Sequence, residues 1–235
     1  GRQLLFNAGF GNRYDQFIAQ PVSVVIPDSL PKLYYTIGNH KSDMVNSYLT
    51  GEIRKEAMQQ GQWEYGACVK FFFAGENAGD FLFNFLVGKE FKNGSGIVAG
   101  FKEQLNSAPY SYTNYENRYI SLVSNFNKEN ITSLYITASS NKLKLSGGFR
   151  NYVIANYLYV NEQEVPDQNS SAFTINQLWG RKIFKLGNVY LDNELVFQQV
   201  PDEAHVNAPP FMDRHQLSFE KALFKRRLKL ATGIE

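Results

Sequence analysis

The segment from Ile183 to Val200 constrains the fold of this chain more than any other. From position 189 onward, apolar and polar residues alternate, with Val189, Leu191, Leu195 and Phe197 on one side and Tyr190, Asp192, Glu194 and Gln198 on the other. A period of two residues predicts a β-strand with one apolar and one polar face. Leu186-Gly187-Asn188 ahead of it predicts a tight hairpin turn. Such a hairpin suits a water-soluble sandwich, and it suits equally a membrane barrel whose apolar face meets lipid and whose polar face lines a lumen.

The overall composition excludes several classes of protein. The 235 residues are predicted to form one domain, because all-β domains often reach this length as single units. A net charge of +2 and the absence of any long apolar run exclude a helical membrane protein and give no broad positive field for nucleic acid. The aromatic content of 15% favours strands and membrane–water interfaces. The single cysteine, Cys68, cannot form an internal disulfide.

The same alternation recurs along the chain and is strongest over residues 63–73, 81–87, 97–101, 143–160 and 217–223. The segment from Ser42 to Gln59 is ambiguous, because its apolar residues fit one face of a helix or of a strand. Gly51 weakens the helix, and the neighbouring strands favour a strand. Residues 44–234 are therefore predicted to form a meander of about ten antiparallel strands. Residues 11–32, which contain Pro21, Pro27 and Pro31, and the polar residues 106–124 are predicted to be long loops.

The connections between these strands differ systematically in length. Those near Gln59, Lys92, Ser140, Leu186 and Lys225 are short, whereas those near Ala74, Asn106, Asn161 and Pro201 are longer. Because short and long connections alternate along the chain, every short turn falls at one end of the sheet and every long loop at the other. This segregation is typical of an up-and-down transmembrane barrel and not of a Greek-key sandwich. The predicted fold class is thus all-β, a transmembrane antiparallel up-and-down β-barrel.

The alternation also predicts which side chains face inward. Charged residues of both signs fall opposite the apolar residues and are predicted to line a lumen: Glu52, Arg54, Glu64, Lys70, Lys102, Lys144, Arg150, Asp192, Glu194 and Glu220. In a barrel such groups pair across strands and give an open pore a modest selectivity, but they would equally solvate a closed or plugged lumen. Lipid contact is predicted for Phe71, Phe83, Phe101, Leu145, Phe197 and Leu228. Leu195 falls near the middle of its strand and hence near the membrane midplane.

No motif predicts an enzyme or a cofactor site. His40, His205 and His215 stand apart, without a second ligand at metal-binding spacing. Glu52 and Glu64 could face one another across the turn near Gln59 as an acid–base pair, but lumen walls commonly carry such groups. No nucleotide-binding or serine-nucleophile fingerprint occurs. Lys225-Arg226-Arg227 is interpreted as a water-exposed turn and not as a nucleic-acid patch.

Several segments resemble a known family. Tyr-Leu-Tyr-Val-Asn-Glu-Gln-Glu-Val-Pro-Asp-Gln from Tyr157 to Gln168, the hairpin from Phe184 to Gln198, Asn207-Ala-Pro-Pro, and the hairpin from Ala222 to Gly233 are similar to the β-barrel porins of the Bacteroidota outer membrane. The resemblance is best from about Tyr115 onward and rests on strand and turn motifs. Such barrels end in a strand with a terminal aromatic residue, whereas this chain ends Thr-Gly-Ile-Glu. The resemblance therefore implies that these residues are part of a larger barrel.

The resemblance and the alternation together predict a function. The chain is expected in the bacterial outer membrane, as a porin-like channel for passive diffusion of small hydrophilic solutes and ions. Its expected partners are membrane lipids, those solutes and other outer-membrane proteins, without nucleic acid or cofactor. The alternative is a non-conducting structural barrel within a larger outer-membrane complex. A soluble all-β binding protein is disfavoured by the aromatic apolar face and by the segregation of loop lengths.

Overall fold

A computed structural model describes residues 4–18, 22–25, 34–37, 41–57, 61–116, 121–223 and 228–234. Its elements, in chain order, are β1 (Leu4–Ile18), β2 (Val22–Val25), β3 (Tyr34–Ile37), β4 (Lys41–Lys55), β5 (Trp63–Ala74), β6 (Phe81–Glu90), β7 (Ser95–Asn106), α1 (Tyr110–Thr113), β8 (Asn114–Glu116), β9 (Ser121–Val123), β10 (Glu129–Ser140), β11 (Leu145–Ala155), β12 (Tyr157–Val160), β13 (Pro166–Asn169), β14 (Phe173–Leu186), β15 (Val189–Gln199), β16 (Phe211–Leu223) and β17 (Leu228–Ile234). No helix in the described part of the chain has the length and apolarity needed to cross a membrane.

Most of the described strands form one large antiparallel up-and-down sheet. It has 11 strands in the order β1-β4-β5-β6-β7-β10-β11-β14-β15-β16-β17. Small two-stranded sheets, β2–β3, β8–β9 and β12–β13, lie in the connections between these strands. The meander predicted for residues 44–234 is confirmed, since β4 to β17 supply its strands in sequence order. The ambiguous segment is a strand, β4, because it pairs with β1 on one side and with β5 on the other.

Two predicted boundaries are wrong. Residues 11–18, predicted as the start of a loop, continue β1, which pairs with β4 along its full 15 residues. Gly11 helps it to do so, because the ring of Tyr48 occupies the place that a Cβ at position 11 would take. The long strand predicted over residues 143–160 ends at Ala155, because Asn156 adopts a left-handed backbone conformation with a φ of 58° and starts a new hairpin.

The segregation of the connections is confirmed except near Ala74, where residues 75–80 form a connection of only six residues between β5 and β6. Residues 91–94, 141–144 and 187–188 form short turns at one end of the sheet, here called the turn end. Residues 107–128, 156–172 and 200–210 form long connections at the opposite end, here called the loop end. The first of these corresponds to the loop predicted over residues 106–124, and it contains α1 and the hairpin β8–β9. The turn predicted at Lys225-Arg226, together with His40 and most of residues 19–33, lies outside the described residues.

The two faces of the sheet differ in character. On one face the apolar side chains are exposed, including Leu195 at 46% and Phe197 at 57%. Of the residues predicted to contact lipid, Phe71, Leu145 and Leu228 are likewise exposed, and the half-buried Phe83 and Phe101 place their ring centroids 6.1 Å apart. A soluble sandwich would bury this face in a core. The buried cluster of Ile154, Phe173 and Ala204 lies instead at the loop end, beneath the connections.

Candidate functional site: the polar face and its covered mouth

The strand register places the predicted lumen residues, except Lys144, on one face of the sheet. Residues that pair across antiparallel strands share a face of the sheet. Glu52 pairs with Cys68, Cys68 pairs with Asn84, and Asn84 pairs with Lys102, so these residues lie on the same face. Continued across the sheet, this register assigns to what we call the polar face Glu52, Arg54, Glu64, Lys70, Lys102, Arg150, Asp192, Glu194 and Glu220. Lys144 lies in the turn 141–144, with its Nζ 5.1 Å from the ring centroid of Tyr190.

Glu52 and Glu64 lie on the polar face but do not face one another. Glu52 is opposite Cys68, which is four residues from Glu64, a separation of roughly 13 Å along a strand. Arg54, opposite Gly66, lies between them, and both carboxylates line a cavity of about 380 Å³ near the turn end. The register therefore does not give these two carboxylates the facing arrangement that acid–base chemistry between them would need. Among the residues that the structure describes, no three His, Cys, Asp or Glu side chains come together as metal ligands would.

A chain of polar side chains crosses the polar face from β11 to the loop end. Arg150 donates to Gln177 Oε1 at 3.2 Å, and Gln177 donates in turn to Gln198 at 3.3 Å. Gln198 donates to the carbonyl oxygen of Pro209 at 2.8 Å, which ties β15 to the connection 200–210. The Arg150 guanidinium also lies 5.3 Å from the ring centroid of Trp179. Each of these residues is held by its neighbours, so this part of the face presents a network of fixed polar groups.

A second polar pair lies nearer the turn end of the same face. The Arg181 guanidinium donates to both carboxylate oxygens of Asp192, with Nε 2.9 Å from Oδ1. Glu194 is opposite Arg181 on one side and Arg214 on the other. The predicted cross-strand pairing of mixed charges is thus present in this part of the sheet.

At the loop end of the polar face, the buried carboxylate of Asp80 holds several segments together. Asp80 stands at the end of the short connection between β5 and β6, and its Oδ1 accepts from Lys128 Nζ at 2.5 Å. The same oxygen accepts from the Ser107 backbone N–H at 2.9 Å and from the Ser107 hydroxyl at 2.7 Å. Its Oδ2 accepts from Asn77 Nδ2 at 2.8 Å. We call Asn77, Asp80, Ser107 and Lys128 the Asp80 cluster.

Charge and burial have opposite effects on this carboxyl. Burial of Asp80 raises its pKa, but the hydrogen bonds from Lys128, Ser107 and Asn77 together outweigh burial, so the net pKa lies below its usual range. The carboxylate is therefore ionised at neutral pH. Since its side chain is only 8% exposed and that of Lys128 is 32% exposed, the ion pair is largely removed from solvent.

The Asp80 cluster anchors both ends of the connection 107–128. Ser107 is its first residue after β7, and Lys128 is its last before β10. Between these anchors, the Tyr110 ring stacks on Phe17 of β1 with centroids 4.8 Å apart. In sheet order β1 is separated from β7 by β4, β5 and β6, so the connection extends over the polar face of those strands.

The connection and the strands beneath it line a partly open cavity of about 920 Å³, which we call the mouth cavity. Its lining includes Arg13, Asp15, Phe72, Asn77, Asp80 and Tyr110. The residues of β1 and β5 that line this cavity lie on the polar face by their register. The connection 107–128 therefore covers the polar side of the sheet. The exposed apolar face lies on the other side, as the alternation predicted.

Cations in and near the mouth cavity lie against aromatic rings. Arg13 pairs with Asp15 at 2.6 Å, donates to Asn77 Oδ1 at 3.0 Å and lies 5.5 Å from the ring centroid of Phe72. Lys70, a predicted lumen residue, places its Nζ 3.9 Å from the ring centroid of Tyr48 and 4.8 Å from that of Phe72. The ring contacts orient both cations, and the charge of Arg13 is in addition paired with Asp15.

The residues that organise the mouth were not predicted from the sequence. Arg13 was assigned to a loop, and Asp80 and Lys128 lie in connections where no period identifies a face. One feature of the sequence could have pointed to Asp80. The connection between β5 and β6, residues 75–80, is the shortest at the loop end, and its last residue, directly before a strand, is acidic. A tertiary partner 48 positions away cannot be inferred from such a signal.

Comparison with known proteins agrees with this architecture. A family model described as "Putative porin" matches residues 5–235. No curated protein and no solved structure matched the chain. The family match extends over nearly all of the chain, including the strands that carry the polar face and the connections that form its mouth. The antiparallel meander, the exposed apolar face and the family match lead to one conclusion, that the chain belongs to this porin family.

Proposed function

We propose that this chain forms part of an outer-membrane channel through which small hydrophilic solutes and ions diffuse passively. The observation that carries the proposal is the two-faced sheet, with exposed aromatic and aliphatic side chains on one side and charged groups of both signs on the other. Membership of the family supports an outer-membrane location and a non-enzymatic channel or structural role. Lipid then contacts the apolar face, and water and solute contact the polar face.

In this proposal the ten predicted residues line or border the lumen: Glu52, Arg54, Glu64, Lys70, Lys102, Lys144, Arg150, Asp192, Glu194 and Glu220. Their mixed signs favour weak discrimination between ions over strong binding of one species. The connection 107–128 narrows the loop end, so the mouth cavity is where a solute first meets fixed polar groups. No cofactor takes part in this function.

Single-channel recording of the full-length protein in planar bilayers tests the proposal. The expected result is stepwise current that is proportional to voltage, accompanied by swelling of protein-containing vesicles in small sugars. Arg150→Glu should shift the ion preference toward cations, because Arg150 lies on the polar face. Lys89→Glu is the matched control, since Lys89 lies on the apolar face opposite Trp63 and Ile97.

The alternative is a structural barrel without conductance, and other outer-membrane proteins are then its partners. Folded protein that inserts into the bilayer without current would favour this alternative. A shift in ion preference with Lys89→Glu equal to that with Arg150→Glu would contradict the assignment of the two faces.

A further inference from the structure

The charges of the polar face are not evenly mixed. On β14 to β16, cations and carboxylates adjoin one another, as in the pair of Arg181 and Asp192. On the strands from β5 to β11 the register gives a different pattern, with Lys70, Lys102 and Arg150 on the polar face. None of these three cations forms an ion pair with a carboxylate that the structure describes. We call Lys70, Lys102 and Arg150 the cation track.

The three cations lie on a diagonal line across the sheet. Lys70 shares a row of paired residues with Gln104 of β7, which lies two residues past Lys102 toward the loop end. Lys102 in turn shares a row with Tyr152 of β11, which lies two residues past Arg150 toward the loop end. Each step crosses two strands and moves two residues toward the turn end, a distance of about 12 Å between Cα atoms. The cation track therefore descends from the loop end to the middle of β11.

Neutral hydrogen-bonding groups occupy the strands between the cations. Asn84 of β6 lies opposite Lys102 on one side, and Ser133 of β10 lies opposite it on the other. Tyr135 of β10 lies opposite Arg150. Amide and hydroxyl groups can each donate a hydrogen bond to an anion. The spaces between the cations are thus lined with donors and carry no negative charge.

Carboxylates lie away from the cation track. Those that the structure describes on the polar face of β5 to β11 stand at or next to strand ends: Glu64, Glu90 and Glu129. The nearest carboxylate on β4 is Glu52, which is diagonal to Lys70 in the register. Lys70 is placed against aromatic rings instead, with its Nζ 3.9 Å from the ring centroid of Tyr48 and 4.8 Å from that of Phe72. Its charge therefore stays available to a solute.

Phe72 connects the cation track to the mouth cavity. It lines that cavity, and its ring centroid lies 5.5 Å from the guanidinium carbon of Arg13 on β1. A solute that passes the mouth cavity therefore meets Lys70 next. At the inner end of the track, Arg150 uses one guanidinium nitrogen to donate to Gln177 at 3.2 Å. A guanidinium has five N–H donors, so others remain for an anion.

We propose that the cation track binds small oxyanions, solutes that carry phosphate or carboxylate groups, and leads them from the mouth cavity to the middle of the sheet. This inference rests on the channel function proposed above and gives that channel a preferred class of solute. Ammonium and guanidinium groups form charge-assisted hydrogen bonds with phosphate and carboxylate oxygens. Lysine and arginine side chains that line a pore favour anions. Successive cations let an anion move from one to the next without losing all of its charge-assisted contacts.

Block of single-channel current by oxyanions tests the proposal. The full-length protein in planar bilayers carries potassium chloride current at neutral pH, and inorganic phosphate is added in increasing amounts. We expect saturable block of the chloride current. Lys102→Met should raise the half-blocking concentration about tenfold, because a charge-assisted contact is lost, whereas Lys102→Arg should retain the block. A parallel series with succinate shows whether phosphate or carboxylate is preferred.

Two further variants make this test specific. Lys70→Met removes another charge of the cation track and leaves a side chain that can fill the space against the rings of Tyr48 and Phe72. It should raise the half-blocking concentration in the same way as Lys102→Met. Lys229→Met is the matched control, because it removes one cation from the polar face of β17, away from the track. This control should leave the block unchanged.

The possible outcomes separate this proposal from the channel function. Conductance without block by phosphate or succinate, or an equal rise for Lys102→Met and Lys229→Met, would overturn the cation track and leave the channel standing. If the protein does not conduct, line broadening of the phosphorus NMR signal of phosphate by the protein in vesicles measures binding directly. Binding that Lys102→Met abolishes and Lys229→Met preserves would then support the site and contradict the channel alone. Absence of binding would overturn the site.

Discussion

Replacement of Asp80 by asparagine is expected to release the connection 107–128 from the mouth. Asparagine has nearly the same shape, but it cannot carry the charge that pairs with Lys128 at 2.5 Å. Its Oδ1 can still accept from Ser107 and Lys128, while its amide nitrogen takes the place of Oδ2 and sets N–H groups against the donor Asn77 Nδ2. The anchor at the Lys128 end of the connection should therefore weaken, while the Ser107 hydrogen bonds and the stacking contact with β1 remain.

The expected loss of stability follows from burial. Breaking a buried ion pair by removing one partner costs about 3–5 kcal/mol, because the other charge is left unpaired. Lys128 is 32% exposed, so it can regain part of its hydration after the change. Hydrogen bonds to charged groups contribute roughly 1.5–3 kcal/mol each, and those lost together are not additive. We therefore expect a fall of about 2–3 kcal/mol in the free energy of unfolding, with noisier single-channel current as the connection moves.

Reversible unfolding of the full-length protein in lipid vesicles measures the first effect. Asp15→Asn is the matched control, because its ion pair with Arg13 is more exposed, at 46% for Arg13 and 30% for Asp15, and should contribute less than about 1 kcal/mol. An equal loss for the two variants, or no loss for Asp80→Asn, would refute the anchoring role of Asp80. The pKa of Asp80 is lowered in the folded chain, so its contribution should be complete above about pH 4 and fade at lower pH as the folded carboxyl takes up a proton. Asp80→Asn should not show this loss in acid.

Two further changes test the assignment of the faces. Ile136→Lys should reduce the free energy of unfolding by about 2–4 kcal/mol. Ile136 is exposed on the apolar face between Ala99 and Phe149, so the charge of the lysine would have no partner there. A cost near zero in the same unfolding assay would contradict lipid contact. Gly100→Ala should push the ring of Tyr135 away from the sheet and into the space above the polar face, because both residues lie on that face and a Cβ at position 100 overlaps the ring. We expect smaller single-channel conductance and a stability loss of about 1–2 kcal/mol. Unchanged conductance would argue against a lumen on this face.

The structure changes how charge substitutions on β15 should be interpreted. From alternation alone, a lysine at Leu195 should find no partner at the lipid face. The register places Asp213 directly opposite Leu195 on that face, so part of the cost would be offset by a new ion pair. On the polar face, Glu194 lies between Arg181 and Arg214, and a lysine there would adjoin two cations. These neighbours are why Ile136, with apolar partners on both sides, is the cleaner site for the test.

The order of the strands could be predicted because a barrel repeats a simple rule. Each strand of the meander carries its own period of two, and the alternation of short and long connections depends only on spacing along the chain. The apolar face and the polar face of the sheet therefore appear as alternation within the sequence of almost every strand. This alternation is missing in the second half of β1, where small or polar residues lie on both faces: Gly11, Asn12, Arg13 and Asp15.

The chain's own residue pattern determined the fold class, the division into an apolar and a polar face and the end at which the long connections lie, because these depend on contacts between neighbours in sequence. Only the tertiary structure decided which strands the connection 107–128 crosses and which carboxylate anchors it. It also decided that Glu52 and Glu64 do not face one another. Asp80 meets Lys128 because the strands between them fold into a sheet that brings distant connections to one end. Contacts of this kind depend on the strand register and on the closure of long loops. Neither of these produces a repeating pattern in the sequence.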